Sequence, residues 1–148
     1  MIRDVYETLA ITAKDKGTRL LMKKGCEDPV SVYADKEKIR QVLTNLVDNA
    51  IKYGKQDGVV EASVYNTDGR NILVEISDDG IGIAEEHLSR VFERFYRTDY
   101  GRSRNIGGTG LGLAICKHII EAHDHSIHVR SNPEVGSTFG FTISGRPS

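Results

Sequence analysis

The chain has 148 residues, with 20 basic and 21 acidic side chains and a formal net charge of −1. That balance argues against binding nucleic acid or an anionic membrane by charge alone. No apolar run reaches the length of a membrane span and no signal peptide opens the chain, so one cytoplasmic globular domain over residues 1–148 is expected.

Residues 5–16 carry Val5, Leu9 and Thr12-Ala13 at helical spacing, with Gly17 as a stop, which predicts an amphipathic helix. Arg19–Met22 and residues 30–33 read as short strands around a turn-rich stretch, 25–29. Cys26 and Cys116 lack metal-ligand spacing and read as reduced thiols.

The clearest helix starts at Asp35, a good N-cap, and ends with Gly54 after Tyr53. Ile39, Val42, Leu43, Leu46, Val47, Ala50 and Ile51 form its core stripe. Asn45, Asn49 and Lys52 share a second stripe, at i, i+4 and i+7. Asparagine prefers caps and turns to helix interiors, so this stripe suggests oxygen ligands and a cation for a phosphate group. A solvated polar face would give the same pattern.

Val59–Asn66 and residues 72–77 alternate as strands, joined by a hairpin loop containing Asp68-Gly69. By parity Asp78 continues the Ile72, Val74, Ile76 face, where a carboxylate is costly unless something donates to it. Gly80 and Gly82 follow and leave room for a flat ligand, and the amino group of adenine is a fitting donor. A capping aspartate in a glycine turn is the alternative.

Residues 87–96 form a short amphipathic stretch whose aromatics read as packing residues. Arg94, Arg97, Arg102 and Arg104 lie in or just beyond it, and the polar, aperiodic segment 98–107 reads as a lid. The lid ends in Gly107-Gly108-Thr109-Gly110-Leu111-Gly112-Leu113, at the entry to an apolar helix running to about His123. Each helix glycine costs about 1 kcal/mol against alanine, and close approach of backbone N–H groups to an anion is a reason to accept that cost. Neither a P-loop nor a Rossmann fingerprint fits: Gly112 is followed by Leu113-Ala114, and no strand precedes the cluster. Residues 126–131 and 137–143 complete the strands, with Ser137, Phe139, Phe141 and Ile143 on one face. His123 and His125 flank a helix end and suit a cap or loop role, and no serine sits in a nucleophile elbow.

In this order the motifs closely resemble the catalytic, ATP-binding domain of bacterial sensor histidine kinases. These belong to the superfamily that also holds the ATPase domains of type II topoisomerases, a heat-shock chaperone and mismatch-repair proteins. Residues 45–53 resemble the family's N box and 78–83 its first glycine box. Residues 92–97 resemble its phenylalanine box, 108–113 its second glycine box and 136–139 its last.

The resemblance implies an α+β fold: a two-layer sandwich, with a mixed, mostly antiparallel sheet of about five strands and three main helices on one face. It implies ATP and Mg²⁺ as cofactors and phosphoryl transfer to a histidine. Asn49 would hold Mg²⁺ with Asn45 nearby, and Lys52 and Arg97 would face the phosphates. Tyr53 would pack near the base, Asp78 would accept from adenine, and Gly80 and Gly82 would give the base access, with Ile83 beside them. Gly108, Thr109, Gly110, Leu111, Gly112 and Leu113 would form the lid hinge and phosphate lining. Ser137 would support Asp78 or the base through a hydroxyl or a water.

Two departures from the family pattern stand out. Asp124-His125 replaces the usual Gly-Gly turn after the last long helix, and none of the five histidines has the phosphoacceptor setting. The expected partner is therefore the histidine-bearing dimerisation domain of the same parent kinase, with a response regulator further along. The isolated domain is expected to be monomeric and the parent is a candidate for an inner-membrane anchor. A serine kinase acting as an anti-sigma factor, or a nucleotide-gated interaction module without transfer, are the alternatives.

Overall fold

The computed structural model describes residues 1–23, 32, 34–66, 70–93 and 112–145. In chain order the elements are α1 (Ile2–Lys16), β1 (Arg19–Met22), α2 (Lys36–Tyr53), β2 (Val59–Asn66), β3 (Asn71–Asp78), α3 (Glu85–Leu88), α4 (Gly112–Ala122), β4 (Ile127–Asn132) and β5 (Gly136–Ser144). The strands form one sheet in the order β1-β2-β3-β5-β4. Only β1 and β2 run parallel; every other pairing is antiparallel.

The central helix follows from its sequence. The Asp35 carboxylate accepts from the Lys38 amide at 3.1 Å, and all seven residues of the apolar stripe are buried. That stripe packs on a sheet face whose rows are matched across strands. Ala62, Ile76, Phe139 and Val129 stand side by side, as do Val64, Val74, Phe141 and Ile127. Phe141 is fully buried at the centre, so truncating it to alanine would cost about 3–5 kcal/mol. Phe92 meets Phe139 edge to face, with ring centroids 6.0 Å apart, which makes it the packing aromatic its spacing suggests.

The next row on this face is different. It consists of Val60, Asp78, Ser137 and Ser131, so the alternation that carries the core also carries a carboxylate and two hydroxyls to one end of the sheet. The opposite face is polar, with an Arg130–Glu75 ion pair at 2.7 Å and a Ser77–Thr138 hydroxyl pair at 2.9 Å.

Around α4 the structure refines the sequence reading. Asp124 adopts φ 60, the left-handed turn position where the family resemblance places glycine. Aspartate tolerates this conformation better than most side chains. The turn is closed by the His125 amide, which donates to the Ile120 carbonyl at 3.1 Å. His123 does act at a helix end: its Nδ1 lies 2.8 Å from the Ile119 carbonyl, and its Nε2 accepts from the Asp35 amide at 3.1 Å. The tautomer with hydrogen on Nδ1 satisfies both and ties the end of α4 to the start of α2. Of the expected strand 30–33, Val32 makes an isolated antiparallel bridge with Gly145, and its sequence neighbours lie outside the described residues.

Candidate nucleotide site

Asp78 ends β3, and the turn that follows supplies its donor. Its Oδ1 accepts from the Gly80 amide at 2.9 Å. Burial pushes the carboxyl up to about 6, and Asp79 adds to the rise. The Gly80 and Ser137 amides and the Lys16 charge oppose it. Ser137 stands beside Asp78 in the pairing of β3 with β5. The Ser137 hydroxyl is 2.9 Å from that of Ser131, which itself donates to the Gly136 carbonyl and accepts from the Ile83 amide at 2.7 Å. Ile83 is thus pinned beside the site while its side chain packs on the core.

Asp79 has a different task. Its Oδ1 accepts from the Val59 amide at 3.0 Å and its Oδ2 lies 3.7 Å from the Lys55 ammonium, so it staples the start of β2 to the end of β3. The two glycines beyond are also set by the chain itself. A side chain at Gly80 would collide with the Tyr53 carbonyl and the Gly54 backbone. Gly82 has φ 71 and abuts the Asn132 carbonyl. Tight backbone packing explains both glycines, whatever access they give to a base.

The last turn of α2 lies directly against this loop. A helix leaves its final carbonyls without intrahelical donors, and here each has one. Ala50 accepts from the Gly54 amide at 2.9 Å and Tyr53 from the Ile81 amide at 3.4 Å. Ile51 and Lys52 accept from the Lys16 ammonium at 2.9 and 2.8 Å. This joins Tyr53 to the loop that follows Asp78.

On the polar stripe of α2, Asn45, Asn49 and Lys52 are all half-buried. Lys52 pairs with Asp48 at 2.8 Å, so it must leave that pair to meet a phosphate. The Asn45 amide donates to the Gly112 carbonyl at 3.4 Å, which brings the α2 stripe to the first residue of α4. Leu113 packs against the core from that first turn. The Asn49 side chain has no hydrogen-bond partner among the described residues. A free amide oxygen on a half-buried face suits a hard divalent cation that completes its shell with phosphate and water.

Asp78, Gly80, Tyr53, Ser137 and Ile83 are thus gathered at one end of the sheet, with Asn49 and Lys52 on the adjoining helix. Arg97, Gly108, Thr109, Gly110 and Leu111 lie outside the described residues. Sequence reasoning did not single out Lys16, Asp79 or Ser131. The one sequence signal for Lys16 is its place directly before the helix-stopping Gly17.

Residues 34–147 match the family described as histidine kinase-, DNA gyrase B- and HSP90-like ATPase. The chain belongs to this family. As such an ATPase domain it is 47% identical over 118 residues to the sensor histidine kinase YkoH of Bacillus subtilis, covering 80% of this chain and 25% of YkoH. It therefore spans about a quarter of that relative's length. Its fold superposes on the mycobacterial sensor histidine kinase MprB with a TM-score of 0.84 at 28% identity, covering 99% of this chain and 95% of that one. It also matches the histidine kinase ThkA, solved in complex with the response regulator protein TrrA, with a TM-score of 0.79 at 31% identity. That match covers 99% of this chain and 40% of ThkA. The α+β sandwich and five-stranded mixed sheet are those of histidine kinase catalytic domains. Among the described residues no helix is long and apolar enough to cross a membrane.

Proposed function

We propose that this chain binds Mg-ATP between the last turn of α2 and the Asp78 end of β3, and passes the γ-phosphoryl group to a histidine on a separate dimerisation domain. It would act as the kinase module of a two-component system. The observation that carries the reading is Asp78: a carboxylate on a core-facing row, held by backbone amides, beside the turn that bears Asn49, Lys52 and Tyr53. The kinship with YkoH and MprB supports a histidine as acceptor.

In this reading Asp78 accepts from the adenine amino group. Guanine presents a carbonyl there and would set two acceptors face to face, a loss of several kcal/mol, roughly, if water is excluded. Asn49 holds Mg²⁺, which supplies charge neutralisation at the phosphate oxygens. Lys52 leaves Asp48 for the phosphates, and Arg97 stabilises the charge that grows on the transferring group. The bond from the γ-phosphorus to the ADP oxygen breaks as a bond to the acceptor imidazole nitrogen forms, and ADP departs. Asn45 cannot act as a base toward water, so little hydrolysis is expected without an acceptor.

The test incubates the chain with labelled ATP, with and without a two-helix partner bearing the acceptor histidine. Acid-labile label should appear only on the partner, and Arg97→Ala should lower transfer more than ATP affinity. Label on this chain alone, or brisk phosphate release without the partner, would overturn the reading.

A further inference from the structure

We propose that Lys16, which is remote in sequence from every motif, is a positioning residue of the nucleotide site: it holds the last turn of α2 in place where that turn meets the Asp78–Gly82 loop. The inference rests on the nucleotide reading above and adds a residue to it.

The geometry is specific. Lys16 is the final residue of α1, and its ammonium donates to two successive carbonyls of α2, those of Ile51 and Lys52. A cation at a helix C-terminus is favoured both by the free carbonyls and by the negative end of the helix dipole. The next carbonyl, that of Tyr53, receives the Ile81 amide, and the Tyr53–Gly54 backbone is packed against Gly80. Lys16 thereby fixes the helix turn that carries Asn49, Lys52 and Tyr53 at the point where it meets the Asp78 loop. Its own backbone is tied in as well, because the Lys16 carbonyl accepts from the Asp57 amide at 3.0 Å.

The same placement gives Lys16 an electrostatic role. Asp78 and Lys16 feel each other's charge: Lys16 favours the ionised carboxylate, while burial lowers the lysine from its ordinary value. The other nearby cations are committed, Lys55 beside Asp79 and Lys52 to Asp48. Asp79 acts in the opposite direction on Asp78, and the Gly80 and Ser137 amides act with Lys16. Lys16 is thus the ammonium among the described residues that helps keep Asp78 an acceptor without touching the ligand.

The experiment is ADP titration by calorimetry on both sides of about pH 6, with the wild-type chain, Lys16→Met and Lys16→Arg. Lys16→Met should weaken ADP about tenfold, through loss of the two charge-assisted bonds, and move the pH midpoint of binding upward. Lys16→Arg should bring affinity back to within about threefold of wild type, since it keeps the charge and the donors. If the methionine variant does not fold, Lys16→Gln, which keeps a donor and loses the charge, must show the same upward shift. Wild-type affinity and midpoint in the uncharged variant would overturn the inference. Weakened binding with an unmoved midpoint would reduce Lys16 to a helix cap and overturn it too. A wild-type chain that binds no ADP at any pH would instead overturn the nucleotide reading, and this inference with it.

Discussion

β3 carries two shielded carboxylates, Glu75 on the polar face of the sheet and Asp78 at the end of the helical face. Glu75 is 6% exposed and closed by an arginine at 2.7 Å. Asp78 has no ion pair among the described residues; the Gly80 amide is its direct donor, and burial holds its carboxyl near 6. The first is a finished interaction. The second is an acceptor with capacity left over, in a place where leaving it unused costs free energy. The acid proposed to bind nucleotide thus differs from the structural one on the same strand by what has been left unpaired.

Exchanging each acid for its amide should separate the two most sharply. Asp78→Asn keeps an oxygen for the Gly80 amide but turns an N–H₂ donor toward the adenine amino group. ATP affinity should fall by at least about a hundredfold in calorimetry, while the unliganded variant melts higher because a poorly solvated charge is gone. A variant that bound ATP normally would remove Asp78 from the site.

Acidity should sharpen the same contrast. The folded carboxyl sits near 6 against an ordinary 3.8, so the folded state binds the proton more tightly than the unfolded one. Stability of the unliganded chain from this group should therefore fall as pH rises from the ordinary carboxylate range to about 6, then level off. Nucleotide affinity should run the other way and drop as pH falls through about 6, because the protonated acid is a poorer acceptor. Both slopes should vanish in Asp78→Asn and persist in Glu75→Gln, read by thermal melts and ADP titrations.

Asn49→Ala should abolish the Mg²⁺ dependence of ATP binding with little change in melting temperature, since alanine is the better helix former. An unchanged Mg²⁺ response would move the metal site elsewhere. The smallest effect belongs to Glu75→Gln, which should cost about 1 kcal/mol of stability in chemical denaturation and leave nucleotide affinity unaltered.

Much of this contrast was legible before any coordinates. The stripe of α2, from Ile39 to Ile51, is read from a period of 3.6, and the inward aim of Asp78 from a period of 2. Both follow from local backbone geometry, as do the Asp35 cap and the strand boundaries within a residue or so. The contacts of Asp79 with Val59, of Ser131 with Ile83 and of Lys16 with α2 were not legible. Each joins elements whose approach is decided by packing, and a lone lysine or serine carries no periodic signal of its partner. The face of Ser137 is legible from its period, while the hydroxyl pair it makes with Ser131 depends on the pairing of β4 with β5.

The pairing of β3 with β5 also governs when the site comes into being. Asp78 borders Val60 on one side, within a hairpin of neighbouring strands, and Ser137 on the other, in the last strand. A chain with β2 and β3 paired but β5 still undocked would hold Asp78 without its neighbour Ser137. A nucleotide bound as proposed would then be a poor template for early folding intermediates, because the row that holds Asp78 is completed by β5. If ATP binds there as proposed, it would stabilise the domain only once β5 has docked, and would protect the folded domain from proteolysis.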